Sequence, residues 1–424
     1  MHLSRVCVWT LIFPTLAGCA SVGVNSSAHM DTLHSLMRSG DFKALTAKIE
    51  QAKEREYGKH NAVLYYLDLG MAQHEAGEYA ASDHSFDSAQ NQMEELYTKS
   101  VSRHASRVIV DDTTVDYPGM PYERALSYVF RSLNYIYSGD WGEALVDIRR
   151  ANQFLEEFGA HRRHQKYKDD AFVEYLGSLL YEDFGEGDDA RISLEAAARA
   201  YERYKATYGV VFPDFKLDPQ KTSTYGEVVF LHYNGIGPHK VKEKLSADRQ
   251  TLNSAFDGDE VDERLAMVLE NMQPGDRVTV AYPKCLTKAP RITSSEINAD
   301  GASVQTLQVE NINAIAEGEL ENDMPSIIKR GLKRYKLKSW VAFLSSGSRN
   351  RGGVDLSANE LADTRGWNTL PGEIRMARIQ LPPGKHRIIA VFRDASGKAV
   401  DRHDFGEVAV SHGHRAYLHY STLE

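Results

Sequence analysis

Two patterns of apolar and polar positions divide the chain. Residues 30–208 are rich in Ala, Leu, Glu, Arg and Tyr and contain only two prolines, Pro118 and Pro121. This composition is typical of helices. Residues 226–424 contain short β-branched and aromatic runs separated by Gly and Pro turns, which predicts strands. The polar, proline-containing stretch 209–225 is expected to connect them. We therefore expect an α+β protein, with a helical domain at 30–208 and a mixed C-terminal domain that contains an antiparallel sheet.

The helical half contains a recurring turn in which Gly is followed by an acidic residue and then an aromatic one. It occurs at Gly40-Asp41-Phe42, Gly77-Glu78-Tyr79 and Gly139-Asp140-Trp141, and a related turn contains Gly185. A tetratricopeptide unit needs such a turn between two antiparallel helices, with a small residue where the helices cross. Gly70 has that position in the clearest unit. We predict a tetratricopeptide-like repeat array; the alternative is a generic bundle of antiparallel helices.

The spacing between the second and third turns predicts an insertion at 99–121. In the second half, the patterns predict strands at 226–233, 277–282, 302–309, 340–344, 374–381, 386–392, 406–410 and 416–420, and helices at 260–272 and 311–336. Turns at Pro382-Pro383-Gly384 and Ser396-Gly397-Lys398 separate the later strands. The expected C-terminal domain is therefore an antiparallel sheet or small sandwich.

The N-terminus resembles a bacterial lipoprotein signal. Arg5 precedes an apolar run at 6–16, which is too short to span a bilayer and ends in Leu16-Ala17-Gly18-Cys19. This order matches a lipobox and predicts removal of 1–18 and acylation of Cys19, with a tether to residue 29. The alternative is an ordinary signal peptide. Acyl chains anchor firmly, because each buried methylene adds about 0.8 kcal/mol. Ala20, in place of aspartate, favours the outer membrane, facing the periplasm, over the inner membrane or the cell surface.

Charge and cysteine content narrow the functional classes. The formal net charge is −9, which argues against a nucleic-acid partner. Of the three cysteines, Cys7 leaves with the signal and Cys19 is acylated, so Cys285 has no intramolecular partner and is expected to be a buried, inert thiol. Because nucleophile-elbow and zinc-protease motifs are missing from the sequence, we expect no enzyme activity, no cofactor and no metal.

The first candidate site surrounds the segment that enters the third helix pair. Pro118-Gly119 favours a sharp turn, and the neighbouring aromatic side chains suit ligand stacking. We predict a partner-binding groove formed by Tyr117, Tyr122, Glu123, Arg149, Arg150 and Asn152. A contact from Glu123 to Arg149 or Arg150 would line it. The alternative is a helix-entry turn with an internal ion pair.

The second candidate site is Asp363, Arg365 and Trp367. The aspartate is expected to hold the arginine while the indole stacks on its plane, which would form a recognition surface for a protein or a glycan. The alternative is an internal clamp between a loop and the sheet. The glycine-rich segment 234–240 could present backbone N–H groups to an anion, but a structural loop is the preferred interpretation.

Several segments resemble a family of poorly characterised tetratricopeptide lipoproteins of Gram-negative bacteria. They are 117–124 (YPGMPYER), 139–141 (GDW), 149–152 (RRAN), 234–240 (NGIGPHK) and 362–371 (ADTRGWNTLP). The resemblance covers nearly the whole chain after the signal. It points to cell-wall or envelope biogenesis, and it supplies no catalytic residues that could be carried over to this chain. We therefore expect a membrane-anchored adaptor or scaffold that binds envelope proteins. Alternatives are a lipoprotein that binds glycan or peptidoglycan and, third, an envelope hydrolase.

Overall fold

The computed structural model describes residues 26–102, 115–161, 166–221, 224–248, 250, 278–346 and 362–424. Cys19, part of the predicted insertion and the predicted helix at 260–272 lie outside these ranges. Helices occupy the N-terminal part and sheets the C-terminal part, as predicted. The helices that precede the first strand are α1 (Ser27–Ser39), α2 (Phe42–Ala52), α3 (Ala62–Glu75), α4 (Tyr79–Ser102), α5 (Pro121–Ser138), α6 (Trp141–His161), α7 (Ala171–Asp183) and α8 (Gly187–Thr207).

The four predicted glycine turns are confirmed. Gly40, Gly77, Gly139 and Gly185 have φ between 67° and 83° and join α1 to α2, α3 to α4, α5 to α6 and α7 to α8. Glycine adopts this left-handed backbone without the steric cost that a Cβ imposes. Successive hairpins contact one another through α2 and α3, α4 and α5, and α6 and α7. The result is a row of four helix hairpins.

Small residues allow the two helices of a hairpin to approach closely. Gly70 on α3 faces the Phe86 ring of α4, and a Cβ at Gly70 would lie 2.8 Å from that ring. The Ser82 hydroxyl of α4 donates to the Gly70 carbonyl at 2.7 Å. In the next hairpin, the Ser132 hydroxyl donates to the Ala144 carbonyl at 2.9 Å. The prediction that Gly70 is the crossing residue of its hairpin is confirmed.

Strands and one long helix follow. They are β1 (Gly226–Ile236), β2 (His239–Ala247), β3 (Val278–Leu286), β4 (Ser294–Ala299), β5 (Ala302–Gln305), β6 (Leu307–Glu310), α9 (Ile312–Ser346), β7 (Pro371–Leu381), β8 (Gly384–Arg393), β9 (Ala399–Val410) and β10 (Arg415–Thr422). Sheet A has the order β10-β1-β7-β6, sheet B is the antiparallel pair β2–β3, and sheet C has the order β5-β4-β8-β9. α9 packs on β3.

Sheet A lies between the helices and sheet C. On β1, Val229, Leu231 and Tyr233 belong to the core that includes the helices, whereas Val228 and Phe230 belong to the core between sheets A and C. The near-continuous apolar run of β1 reflects this burial on both faces. Sheet A is therefore the middle of three layers, and its residues contribute to two cores.

The structure corrects three expectations for the C-terminal part. Sheet A is mixed, because β10 pairs parallel to β1. A turn pattern predicts only the pairing of consecutive strands, and the consecutive strands β9 and β10 belong to different sheets. The predicted strand 340–344 is wrong, since this short apolar run continues α9. The predicted strand 302–309 is interrupted at Thr306, where the chain passes from sheet C to sheet A. The strands β2 and β4 were missed.

The close approach at Gly70 can be tested by substitution. Gly70→Ala should lower the free energy of unfolding by about 1–3 kcal/mol, because the added methyl group overlaps the Phe86 ring. Gly142→Ala in α6 is the control, since its Cβ would meet nothing closer than 4.0 Å, and it should be neutral or slightly stabilising. Urea denaturation measures both. Equal stability of the two variants would contradict the packing described for α3 and α4.

Candidate binding site

The chain's own sheet covers the face of the hairpins formed by α3, α5 and α7, which we call the inner face. His74 on α3 has Nε2 3.2 Å from the Tyr233 hydroxyl of β1, and Phe130 on α5 packs edge-on against the same ring. On α7, the Tyr175 hydroxyl accepts from Arg378 of β7 at 2.7 Å. Side chains of sheet A therefore occupy the inner face where they contact these three helices.

The segment before β7 is bound to α3 through a buried carboxylate. Asp68 is 0% exposed, and one of its oxygens accepts from the backbone N–H groups of Asn368 and Thr369 at 2.9 and 3.1 Å. The other accepts from the Tyr57 hydroxyl at 2.8 Å. Burial raises the pKa of Asp68 to about 6, although these hydrogen bonds oppose the rise. Asp68 thus satisfies backbone donors that would otherwise be buried without a partner.

A second buried carboxylate holds the same segment against α5. Glu123 accepts from the backbone N–H of Trp367 at 2.8 Å and from the Tyr117 hydroxyl at 2.8 Å. The Trp367 ring packs edge-on against Phe86 and Phe130, with centroids 5.8 and 6.0 Å away. Of the predicted groove residues, Tyr117 and Glu123 therefore meet Trp367 of the second candidate site inside the molecule.

Asp363 and Arg365 form the predicted pair. The guanidinium donates to both carboxylate oxygens at 2.8 and 2.7 Å, and it also donates to the Val115 carbonyl at 2.8 Å. It lies over the Tyr117 ring rather than over Trp367, because the indole is inserted among the helices. This arrangement is the internal clamp that the sequence left as the alternative, but it joins the loop to the segments that precede α3 and α5 rather than to the sheet.

The remaining groove residues lie elsewhere. Tyr122 is buried. Arg149 donates to the Tyr181 hydroxyl and to Glu186, whereas Arg150 donates to Asp147. The predicted contact from Glu123 to Arg149 or Arg150 is not formed, because the Glu123 carboxylate is used by the contacts with Tyr117, Met120 and Trp367.

Asn152 interacts with Glu174 of α7, and burial raises the pKa of that carboxyl to about 7. The residues predicted to line one groove are therefore divided between the helix–sheet junction and two sides of α6. A role for them in binding a partner stays a prediction.

A cavity of about 330 Å³ lies between α4, α5 and α6. Its lining includes Glu94, Arg124, Tyr128, Arg150, Phe154 and Phe158. We call it the outer cavity. The Arg124 guanidinium carbon lies 4.4 Å from the centre of the Phe154 ring, and the guanidinium is hydrogen-bonded to Glu94. Its volume is in the range of small-ligand sites. This combination was not predicted from the sequence, where the spacing of Arg124 and Arg131 along α5 is the signal that could have indicated it.

Other candidate chemistry is weak in the described ranges. Cys285 is partly buried, and burial raises the pKa of its thiol to about 11, so the thiol is neutral near pH 7. This supports the expectation of an inert cysteine. In the 234–240 segment, the Gly237 N–H donates to the Leu370 carbonyl at 2.8 Å, which makes the loop structural. Within the described residues, three or more His, Cys, Asp or Glu side chains are nowhere grouped to hold a metal ion.

Comparisons with known proteins add no assignment. No protein-family model matches the chain, and no curated protein matches it at a significant level. Among the helices that the structure describes, none combines the length and apolar character needed to cross a membrane.

The carboxylate contact between α3 and the 362–370 segment generates a stability prediction. Asp68→Ala should lower the free energy of unfolding by about 3–5 kcal/mol, because it leaves two backbone N–H groups and the Tyr57 hydroxyl buried without their acceptor. Hydrogen exchange at Asn368 and Thr369 should accelerate in the folded variant. The exposed Asp214→Ala serves as control. Unchanged exchange at both amides would show that Asp68 does not hold this segment.

Glu75 on α3 generates a pH prediction. Its carboxylate accepts from the Ser421 hydroxyl of β10, and burial raises its pKa from 4.5 to about 7. A folded-state pKa above the unfolded one stabilises the protein below about pH 4.5, and this contribution is lost as the pH rises through about 7. Glu75→Gln should therefore gain stability relative to the native chain between pH 5 and 8, by about 2 kcal/mol. Denaturant titrations across this range measure the difference.

The matched control is Glu78→Gln, an exposed position three residues away. It should follow the pH dependence of the native chain. If the free energy of unfolding of Glu75→Gln changed with pH in parallel with that of the native chain, the Glu75 carboxyl would be ionised in the folded protein at no cost in stability.

Proposed function

We propose that this protein is an envelope lipoprotein that is held at the outer membrane by acyl chains on Cys19 and acts as a periplasm-facing adaptor or scaffold for other envelope proteins. The role belongs to cell-wall or envelope biogenesis. The lipobox sequence Leu16-Ala17-Gly18-Cys19 supports the anchor. The helical part is a tetratricopeptide-type array in this proposal.

Two features support the repeat assignment over a generic bundle. Three of the four turns have the same order of left-handed glycine, acidic residue and aromatic residue. The hairpins of α3–α4 and α5–α6 also share a hydroxyl contact between residues at the same separation along the chain, Gly70 with Ser82 and Ser132 with Ala144. A generic bundle would not require this common register.

The observation that carries the adaptor proposal is the outer cavity. Sheet A and the 362–370 segment cover the inner face of α3, α5 and α7, so a partner segment would have to displace buried contacts there. The outer cavity instead offers arginine and aromatic side chains, which are the residue types enriched at protein interfaces. We infer that the partner binds on this side of the hairpins.

The tether would keep the helical array close to the membrane. Ser26 caps α1 and donates to Glu56 at 2.9 Å, so the start of α1 is fixed to the helical part. The chain from Cys19 to Ser26 can extend about 25 Å at most. The start of α1 would therefore lie within that distance of the acyl chains, so partners near the bilayer would be within reach of the helical array.

The proposal predicts lipid attachment and a defined partner in the same cells. An alkyne-tagged fatty acid should label the native chain and the Cys285→Ser control, but not Cys19→Ser, which should move to the soluble fraction. A photo-crosslinking amino acid at Gln153, in the lining of the outer cavity, should capture defined envelope proteins that mass spectrometry identifies.

The control for crosslinking is the same photo-reactive residue at the exposed position Arg191 on α8. Labelling of Cys19→Ser would contradict the anchor. Failure to recover any envelope protein through Gln153, or recovery of the same set through Arg191, would contradict the adaptor role.

A further inference from the structure

The outward side of α5 carries two arginines seven residues apart, Arg124 and Arg131, and both side chains lie between α4 and α6. Helices α4 and α6 run antiparallel to α5. A residue seven positions closer to the N-terminus of α5 therefore lies beside residues of α4 and α6 that are seven positions closer to their C-termini. The structure therefore contains two related layers, one around each arginine.

The layer around Arg131 is closed by the protein itself. Its guanidinium lies 3.1 Å from an oxygen of Asp87 on α4 and 3.4 Å from an oxygen of Asp147 on α6. It also donates to Gln90 at 2.9 Å and to the Tyr135 hydroxyl at 3.1 Å. One arginine here has two carboxylates, one from each neighbouring helix.

The layer around Arg124 lacks the second carboxylate. Glu94 takes the place of Asp87, but Phe154 takes the place of Asp147, and Arg124 lies over the Phe154 ring. Arg124 is 10% exposed, and its Nε is buried without a hydrogen-bond partner, as is the Nε of Arg131. The two layers therefore differ in the carboxylate that α6 supplies, not in this atom. Where α6 supplies a carboxylate to Arg131, Arg124 meets the outer cavity instead.

We propose that the outer cavity binds a carboxylate that is attached to an apolar or aromatic group. The carboxylate bonds to Arg124 and Arg150, while the apolar part packs against Phe154, Phe158 and Tyr128. This inference rests on the proposed function and names the chemical group that its binding surface recognises.

The charges of the cavity agree with this ligand. Glu94 is 58% exposed, so its side chain can leave Arg124 when another carboxylate enters. Glu94 and Glu157 both carry negative charge on the lining, which favours a ligand with a single negative charge over a phosphate dianion. In the absence of ligand, Glu94 provides the acceptor that Arg124 requires.

Two probes distinguish the sources of such a carboxylate. N-acetylphenylalanine presents a terminal carboxylate, and the blocked peptide acetyl-Gly-Glu-Phe-Gly-amide presents a side-chain carboxylate. Their controls are N-acetylphenylalanine amide and the same peptide with Gln in place of Glu. Titration calorimetry on the purified mature chain should show binding of at least one acid about tenfold tighter than its amide.

Substitutions identify the cavity as the place of binding. Glu94→Gln should tighten binding of the acid several-fold, because the competing negative charge is removed while the amide oxygen of Gln still provides an acceptor for Arg124. Arg124→Gln and the exposed Arg150→Gln should each reduce the preference of the acid over the amide. Glu195→Gln, which breaks an exposed ion pair of α8 with Arg191, is the matched control and should change nothing.

The inference is overturned if neither acid binds, if the amides bind equally well, or if Glu94→Gln binds the acid no better than the native chain. Circular dichroism checks that Arg124→Gln is folded. If that variant is unfolded, the preference of Arg150→Gln for the acid over the amide provides the test. If the probes do not bind but Gln153 still captures envelope proteins, the carboxylate specificity is wrong and the adaptor role stands. If the probes bind but no protein is crosslinked, the adaptor role is wrong and the carboxylate site stands.

Discussion

The burial of sheet A on both faces is the constraint on which the rest of the structure depends. Water is excluded from β1 on the side of the helices and on the side of sheet C, so every polar group on it needs a partner within the protein. His232 on one face bonds to Ser295 and Thr422, and Tyr233 on the other lies against His74. The helices and the sheets therefore form one continuous arrangement rather than two units joined by a connection.

The electrostatics of the junction follow from the same constraint. Burial raises the pKa of Asp68 and Glu75 and lowers that of His74 to about 4, so burial favours the uncharged form of all three groups. Each has a hydrogen-bond partner, which limits the cost of its burial. At another part of the junction, Arg415 of β10 bonds to Asp183 and the Leu179 carbonyl of α7. Specific polar contacts thus fix the position of the sheet on the helices.

This closure changes where a partner can bind. The aromatic and charged residues that looked available in the sequence, such as Glu123 and Trp367, are used to join the 362–370 segment to the helices. The outer cavity is formed on the opposite part of the α5 surface, where Phe154 replaces a carboxylate in one of two related arginine layers. An unsatisfied position in a repeated pattern of ion pairs is a stronger indication of ligand chemistry than an isolated charged residue.

The sequence by itself determined that helices precede the sheets, the four hairpin turns and the close approach at Gly70. These are local properties, because a left-handed glycine or an apolar run acts within a few residues. Only the tertiary structure decided that β10 lies parallel to β1, that 340–344 is helical and that Glu123 contacts Trp367 rather than Arg149 or Arg150. Those outcomes depend on which distant segments compete for the same buried surface and the same hydrogen-bond acceptor, and spacing along the chain carries no information about that competition.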